Sequence, residues 1–147
     1  GAPNRTLQAA PAPRILTPHA GEWARLIGVT DPTHSTCEAE ALAWSAAHKV
    51  VLVLKGHRTL VTDGTRCYYN STGNPGMATG GSGDVLTGVI TGLLAQGMPA
   101  WDAARVGVYL HGLAGDLAAT EKGEVGLIAS DLLAALPAAI QTHHDEA

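Results

Sequence analysis

The stretch NPGMATGGSGDVLTGVITGLLAQG (residues 74–97) joins a segment of small residues to a strongly apolar run. Six of its first eleven residues are Gly, Ala or Ser, and Asp84 stands at the junction. From Val85 onward, apolar residues recur with the spacing of one helical face, and Gly97 followed by Pro99 indicates where the helix ends. The stretch therefore predicts a glycine-rich loop that runs directly into an amphipathic helix.

Such a loop is suited to binding an anion, because several backbone N–H groups meet at a helix start, where the dipole adds partial positive charge. Side chains at Gly80, Gly81 or Gly83 would block a close approach to the backbone. The spacing matches neither the phosphate loop with its Gly-Lys-Ser/Thr nor the dinucleotide fingerprint, since Leu86 occupies the position of the third glycine. An ordinary loop before a helix remains the alternative.

Asp84 also has two interpretations. An acid in the first turn stabilises a helix by about 0.5–1 kcal/mol through the dipole, without any catalytic role. Alternatively, its carboxylate faces the anion site and accepts a proton from a substrate hydroxyl. That second role suits phosphoryl transfer, in which orienting the nucleophile matters more than strong basicity.

Short apolar runs alternate with helical patterns along the rest of the chain. The patterns predict strands at 14–17 and 50–55, helices at 19–28, 37–48 and 101–120, a hairpin around Asp63-Gly64, and a last helix capped by Ser130. The continuous run VVLVLK (50–55) is typical of a strand that is covered on both faces. The order of elements predicts an α/β sheet with an antiparallel edge.

The chain has 147 residues, 46% apolar and 15% charged, a balance typical of one globular domain. A formal charge of −4 without any Lys/Arg cluster argues against nucleic acid as a partner. No long apolar run and no secretion signal are found, so we expect no membrane contact and a cytoplasmic location. Cys37 and Cys67 lack metal-binding spacing, and no metal ligand is predicted. Residues 1–13 are expected to form an extended lead-in, and residues 141–147 a polar tail.

Four motifs follow one another along the chain: LTPHAGE (16–22), VLKGHRTLV (53–61), NPGMATGGSGDVLTGVI (74–90) and YLHGLAGD (109–116). Together they resemble the ADP/ATP-dependent NAD(P)H-hydrate dehydratases, repair enzymes of the ribokinase-like superfamily, over residues 14–135. The resemblance implies a ribokinase-like three-layer αβα sandwich of the α/β class. Family members carry a further half before the first motif, so we expect this chain to hold the C-terminal half of the fold.

The resemblance also implies a reaction. Damaged NADH or NADPH carries a hydroxyl on its nicotinamide ring, and the family phosphorylates this (6S) hydrate from ADP or ATP, with Mg²⁺ present. Phosphate then leaves, the dihydronicotinamide is restored, and AMP or ADP is released. The expected small-molecule partners are therefore the two hydrates, NADHX and NADPHX, and ADP or ATP.

Site residues follow from the resemblance by position. Asp84 matches the base that contacts the hydrate and takes its hydroxyl proton, and His19, with Glu22 beside it, matches a hydrate-contacting histidine. The implied nucleotide-binding residues are Lys55, Gly56, His57, Arg58, Thr59, Asn74, Gly80, Gly81, Ser82 and Gly83. Those from Asn74 onward match an anion hole around the transferred phosphoryl group. The chain departs from the family at Ala20, where proline is common, and in the bulk of His57 and Arg58.

Several of these positions have structural alternatives. Lys55 could be a solvated lysine at a strand end, His19 a helix cap, and Thr59 an ordinary strand residue. His111 is expected to be a satisfied core residue. Residues 68–70 could contact adenosine, but an exposed hairpin is the favoured interpretation.

Two other functions remain open. A different ribokinase-like kinase, acting on a vitamin precursor or a sugar, would share Asp84 and the loop but release a stable phosphoester. An inactive half-domain would bind nucleotide without turnover. Because half a sheet exposes a strand edge, we expect the chain to form a homo-oligomer or to pair with a missing N-terminal half or an epimerase domain.

Overall fold

The computed structural model describes residues 7, 10–30 and 37–146. It divides the chain into two compact units, Gly1–Tyr69 and Asn70–Ala147. The predicted lead-in lies largely outside the described residues. Across the described residues, no helix combines the length and the apolar character that crossing a membrane would require.

The first unit holds four strands and two helices among its described residues. They are β1 (Arg14–Leu16), α1 (Ala20–Ile27), α2 (Glu38–His48), β2 (Val50–Leu54), β3 (Leu60–Thr62) and β4 (Cys67–Tyr69). The sheet order is β1-β2-β3-β4, with β1 parallel to β2 and the other two pairs antiparallel. The predicted strand, helix, strand and hairpin are therefore confirmed, as is the antiparallel edge.

Strand β2 is the buried centre of this sheet. Val51 lies opposite Ile15 of β1, and Val53 lies opposite Val61 of β3. Both Leu52 and Val53 are fully buried, as the unbroken apolar run predicts. Strand β2 lies between β1 and β3 in the sheet. Its position therefore determines where the loops before and after it in the chain leave the sheet.

The core of the first unit forms around a tryptophan of α1. Trp23 is 1% exposed and packs with Leu52 and Leu60. Its ring meets that of Trp44 edge to face, with centroids 5.3 Å apart. Buried Ser45 joins α2 to the sheet, because its hydroxyl donates to the carbonyl of Val50 at 2.5 Å. With no Phe in the chain, tryptophan supplies the large aromatic surface.

The hairpin between β3 and β4 turns at Asp63-Gly64, as predicted. The Asp63 carboxylate accepts hydrogen bonds from the backbone N–H of Thr65 at 3.0 Å and from Arg66 Nε at 2.8 Å. Gly64 has φ of 91°, and a Cβ added there would lie 2.6 Å from Ala46 Cα. The turn therefore requires glycine twice, for its backbone conformation and for its contact with helix α2.

The Asp63 carboxylate is predicted to link the stability of the hairpin to pH. Partial burial raises its pKa, but the hydrogen bonds from Arg66 and Thr65 outweigh burial and hold the pKa at about 2, below the ordinary 3.8. Because the folded pKa is depressed, the stabilisation is complete above the unfolded pKa and is lost as the pH falls through about 2. This difference corresponds to roughly 2 kcal/mol.

We therefore expect Asp63→Asn to lower the free energy of unfolding relative to the wild type. This loss should be about 2 kcal/mol larger at pH about 5 than at pH about 2. Urea unfolding across this range measures the difference. Asp102→Asn, which removes a half-exposed ion pair with Arg105, is the control. Its free energy of unfolding should stay close to that of the wild type at both pH values. A wild-type-to-variant difference that stays constant with pH would contradict the assignment.

The second unit is helical. Among its described residues are a single 3₁₀ turn (Pro75–Met77) and the helices α3 (Ser82–Ala95), α4 (Ala100–Lys122) and α5 (Ala129–Glu146). Helix α4 packs against both α3 and α5. A Cβ added to Gly107 of α4 would lie 2.7 Å from Ile90 Cγ1, which shows how closely α3 and α4 approach.

Two expectations about the last helix change. The predicted cap Ser130 is wrong, because α5 already begins at Ala129. Asp131 takes the capping role, since its Oδ2 accepts the N–H of Ile128 at 3.0 Å and its Oδ1 binds Lys122. The polar tail at 141–147 is helical as far as Glu146.

Candidate active site

The glycine loop, defined here as residues 78–83, ends at the start of α3. Gly81 is the N-cap in the left-handed region, with φ of 86°. The N–H of Ser82 donates to Thr79 O at 3.3 Å, and that of Asp84 donates to Gly81 O at 3.1 Å. Among the described residues, the N–H groups of Gly80, Gly81 and Gly83 donate no hydrogen bond. The loop thus leaves three backbone donors beside a helix N-terminus, as predicted for an anion site.

Asp84 lies in the first turn of α3 and is exposed. Its carboxylate makes no hydrogen bond or ion pair with any residue that the structure describes. The side chain is therefore available to a ligand, while its place in the first turn also stabilises the helix. Gly80, Gly81, Gly83 and Asp84 lie within five consecutive positions at the start of α3, and their role as one site stays a prediction.

The segment before the loop, residues 70–77, is fixed on helix α4. Buried Asn70 donates from Nδ2 to the carbonyl of Val108 at 3.3 Å. The hydroxyl of Thr72 donates to the carbonyl of Tyr109 at 2.8 Å. The expectation that Asn70 is exposed is therefore wrong: its amide binds the helix because a buried amide requires partners.

Two glycines of α4 allow this close approach. A Cβ on Gly112 would lie 2.7 Å from the carbonyl carbon of Thr72, and a Cβ on Gly115 would lie 2.7 Å from Met77 Cγ. Both glycines belong to YLHGLAGD, a motif that the sequence analysis distinguishes only by its resemblance to the family. Their physical role is to let the 70–77 segment lie directly on the helix backbone.

Gly112→Ala should destabilise the protein, although alanine is the better helix former. We expect a loss of about 1–3 kcal/mol, because the added methyl group overlaps the Thr72 backbone. Gly92 of α3 is the matched control, since an added Cβ meets nothing within 4 Å there. Gly92→Ala should be neutral or stabilising by up to about 1 kcal/mol. Urea unfolding of both variants measures the difference, and equal effects would show that the approach to Gly112 is not constrained.

Asp116, one turn beyond Gly112, binds the segment 70–77 that precedes the glycine loop. Its Oδ2 accepts the N–H of Gly73 at 2.9 Å, and its Oδ1 accepts Asn74 Nδ2–H at 2.9 Å. Asn74 Oδ1 in turn accepts the N–H of Gly76 at 3.1 Å. Asn74, predicted as a nucleotide-binding residue, thus has both ends of its amide engaged within the protein. Asp116 is a residue that the sequence reasoning did not single out.

His111 of α4 contacts the other end of the loop. Its Nε2 lies 2.9 Å from Ser82 O and 3.4 Å from Ser82 Oγ. His111 is therefore half-buried and satisfied, as expected, and its partner is the first residue of α3. Ser82 is itself 7% exposed, so its side chain serves the protein interior rather than an open site.

An open cleft of about 390 Å³ borders the loop within the second unit. One wall consists of Pro75, Gly76, Ala78 and Thr79, and the other of Glu124, Val125 and Leu127. Val125 is fully exposed. Lys122 and Asp131 form an ion pair, and the hydrogen bond from Lys122 lowers the pKa of Asp131.

The second predicted nucleotide-binding segment, Lys55–Thr59, lies in the first unit just after β2. Thr59 Oγ1 donates to Gly56 O at 3.1 Å, which closes the segment into a small loop. Arg58 has φ of 54°, a conformation uncommon outside glycine. His57 and Arg58 are exposed. Lys55 is half-buried, and its backbone N–H donates to Pro18 O at 2.9 Å.

Arg58 rests on an aromatic ring of the hairpin. Its guanidinium carbon lies 5.8 Å from the centroid of Tyr69, within the range of a cation–π contact. The hydroxyl of Tyr69 donates to Glu38 Oε2 at 2.5 Å, and this hydrogen bond raises the pKa of Tyr69 to about 12. Both the ring and the hydroxyl of Tyr69 therefore have partners within the protein.

His19 is the N-cap of α1. Its Nδ1 accepts the N–H groups of Gly21 at 3.1 Å and Glu22 at 3.3 Å. The Glu22 carboxylate accepts the N–H of His19 at 2.8 Å, and this hydrogen bond lowers the pKa of Glu22. The capping alternative for His19 is thus present in the structure. Its Nε2 side remains exposed, 3.5 Å from Glu22 Oε1, and can still meet a ligand. A parallel bridge pairs His19 with Lys55.

Within residues 7, 10–30 and 37–146, no three His, Cys, Asp or Glu side chains gather as a metal site. Mg²⁺ in nucleotide enzymes often relies on one or two carboxylates together with the phosphates of the substrate. Asp84 is exposed beside the loop donors and has no partner in the described part of the chain, which is compatible with that mode of binding.

Comparison with known proteins assigns the chain to a family. The family model described as NAD(P)H-hydrate dehydratase matches residues 2–138. Solved structures of the same kind include a ribokinase-like superfamily protein from Enterococcus faecalis, with a TM-score of 0.73 at 35% identity over 87% of this chain. The fold is therefore of the ribokinase-like α/β class, as predicted. Within that class, the chain belongs to the NAD(P)H-hydrate dehydratase family.

Individual relatives agree with this assignment. A bifunctional NAD(P)H-hydrate repair enzyme from Moorella thermoacetica is 47% identical over 97% of this chain and 27% of its own length. An ADP-dependent (S)-NAD(P)H-hydrate dehydratase from Neisseria meningitidis is 44% identical over 80% of this chain and 41% of its own length. An ADP/ATP-dependent NAD(P)H-hydrate dehydratase from Bacillus subtilis, co-crystallised with ATP/Mg²⁺, has a TM-score of 0.81 at 38% identity over 88% of this chain.

The chain is short relative to these proteins. It spans about a quarter of the Moorella enzyme and 48% of the Bacillus chain.

Proposed function

We propose that the chain takes part in the nucleotide-dependent dehydration of the (6S) hydrates of NADH and NADPH, with ADP or ATP as phosphoryl donor. The observation that carries the proposal is that the N–H groups of Gly80, Gly81 and Gly83 and the carboxylate of Asp84 lie close together in the chain and have no partner among the residues that the structure describes. The names of the relatives support the choice of substrates, and the loop offers donors of the kind that phosphoryl transfer requires.

Each part of this site has a distinct task. The N–H groups of the loop would bind the oxygens of the phosphoryl group, where negative charge is concentrated during transfer. Asp84 would accept the proton of the hydrate hydroxyl while that oxygen bonds to phosphorus and the bond between phosphorus and the nucleotide breaks. Phosphate then leaves the ring carbon, a proton leaves the neighbouring carbon, and the ring double bond returns.

In the first unit, we propose that Lys55–Thr59 contacts the nucleotide and that the exposed side of His19 contacts the hydrate. The strained backbone at Arg58 supports the first assignment, because strained loop residues are concentrated at ligand sites. The exposure of the His19 side chain, 58% beside Glu22, supports the second. We propose that Mg²⁺ arrives on the phosphates of the nucleotide, where it would neutralise charge.

Asp84→Asn should abolish turnover and leave ADP affinity nearly unchanged, because loss of the proton acceptor acts on the transition state. Turnover is followed as the near-ultraviolet absorbance of NADH returns when the chain, ADP or ATP, Mg²⁺ and NADH hydrate are mixed. Calorimetry measures ADP affinity separately, without Mg²⁺ or hydrate, so that a contact of Asp84 with the ion does not enter the comparison. Asp102→Asn provides a control with the same change of charge, and turnover retained in Asp84→Asn would remove Asp84 from the mechanism.

Gly80→Val tests the anion site separately from the chemistry. An added Cβ at Gly80 meets no heavy atom within 4 Å, so the variant should fold normally. Its methyl groups would occupy the space in front of the loop donors, and we expect ADP affinity to fall at least about tenfold. Thermal unfolding checks the fold and calorimetry checks affinity. Unchanged ADP affinity in a folded variant would place the phosphate elsewhere.

The same assay separates the alternatives. Free phosphate with restored NADH indicates the dehydratase, and a stable phosphorylated metabolite indicates a kinase of the same superfamily. ADP binding without turnover would indicate a nucleotide-binding half, in line with the coverage of 48% of the Bacillus chain.

Among the described strands, β1 pairs only with β2. We propose that a second copy or an additional N-terminal half covers its other edge, and that the protein works in the cytoplasm.

A further inference from the structure

A chain of three hydrogen bonds links helix α4 to the start of the glycine loop. Asp116 accepts from the N–H of Gly73 and from Asn74 Nδ2, both at 2.9 Å, and Asn74 Oδ1 accepts from the N–H of Gly76 at 3.1 Å. We propose that Asp116 is a positioning residue, which holds the loop in its anion-binding conformation without touching the phosphate. This inference rests on the proposed function of the loop.

The chemistry of the link makes it directional. An ionised carboxylate can only accept, so the NH₂ group of Asn74 must face Asp116 and its oxygen must face Gly76. An amide side chain at position 116 could not serve both neighbours, because its own NH₂ group would face either the N–H of Gly73 or the NH₂ group of Asn74. The carboxylate therefore determines which way the Asn74 amide points.

The orientation of Asn74 in turn fixes the 3₁₀ turn at Pro75–Met77. Met77 N–H donates to Asn74 O and Ala78 N–H donates to Pro75 O, both at 3.1 Å. The turn has little room to shift, since a Cβ on Gly76 would already lie 2.8 Å from Glu124 Cα. The turn leads directly into the loop donors at Gly80 and Gly81, so a change at Asp116 is transmitted to them through the backbone.

The sign of the effect distinguishes positioning from simple electrostatics. If the charge of Asp116 acted on the phosphate only through space, removing it would strengthen anion binding, because like charges repel. If Asp116 positions the loop, removing it should weaken binding. Asp116→Asn leaves one acceptor of the two and removes the charge, so it tests both possibilities at once.

The experiment compares Asp116→Asn, Asn74→Asp and the double variant by calorimetry with ADP and Mg²⁺. We expect each single variant to bind ADP about tenfold more weakly, because a hydrogen bond to a charged group is lost or two carboxylates face each other. In the double variant, the carboxylate introduced at position 74 can accept from the N–H of Gly76 and from the NH₂ group introduced at position 116. The amide oxygen at position 116 remains to accept from the N–H of Gly73. The exchange restores every hydrogen bond, and affinity should return to within about threefold of wild type.

Asp102→Asn, on the same helix, controls for the change of net charge and should bind ADP as the wild type does. Hydrogen exchange at the Gly73 and Gly76 amides gives a second readout: it should accelerate in Asp116→Asn and recover in the double variant. If Asp116→Asn fails to fold, a folded double variant with recovered affinity still supports the proposal.

The proposal is overturned if Asp116→Asn binds ADP as tightly as the wild type or more tightly. It is also overturned if the double variant folds without recovering affinity. A wild-type chain that binds no ADP would overturn the proposed function of the loop together with this inference. Binding by the wild type with no loss in the variant would overturn only the role of Asp116.

Discussion

The close approach of residues 70–77 to helix α4 is the constraint on which the candidate anion site depends. Gly112 has no side chain where the Thr72 backbone passes, and the carbonyls of Val108 and Tyr109 accept hydrogen bonds from Asn70 and Thr72. A carbonyl oxygen has two lone pairs, so these helix residues can bind the segment without giving up their helical bonds. Helix α4 thus fixes the path of the chain before the glycine loop begins.

The glycine loop is rich in glycine, but contacts with helix α4 fix the chain at both of its ends. Asp116 accepts hydrogen bonds from Gly73 and Asn74 in the segment before the loop. His111 lies against Ser82, the first residue of α3. Between these points, the N–H groups of Gly80 and Gly81 donate to none of the residues that the structure describes. Donors that are fixed beforehand would need no reorganisation if charge developed on a phosphoryl group bound there, as the proposed function requires.

Local patterns are sufficient to predict much of this molecule. The apolar run of β2, the Asp63-Gly64 turn and the loop that leads into α3 each depend on residues near one another in sequence, and each is confirmed. The burial of Asn70 and the role of Asp116 escape such patterns because their partners lie about forty residues away. Residue type alone favours Ser130 as a cap, whereas Asp131 has both the reach to Ile128 and a cationic partner in Lys122. Family resemblance indicates that YLHGLAGD matters, and the contacts with the loop segment provide a physical reason.

The contact between Gly64 and helix α2 has a consequence for how this chain can vary in length. Hairpin tips are usually where a protein accepts inserted residues, because they project into solvent. Here an added Cβ at Gly64 would already meet the backbone of Ala46, so this side of the turn is packed on helix α2, while Thr65 and Arg66 are exposed. The bend at Gly97, where an added Cβ meets nothing within 4 Å, is the more permissive place for an insertion. Length variation among related chains, and any inserted reporter peptide, should therefore be better tolerated at the α3–α4 connection than next to Gly64 in the β3–β4 hairpin.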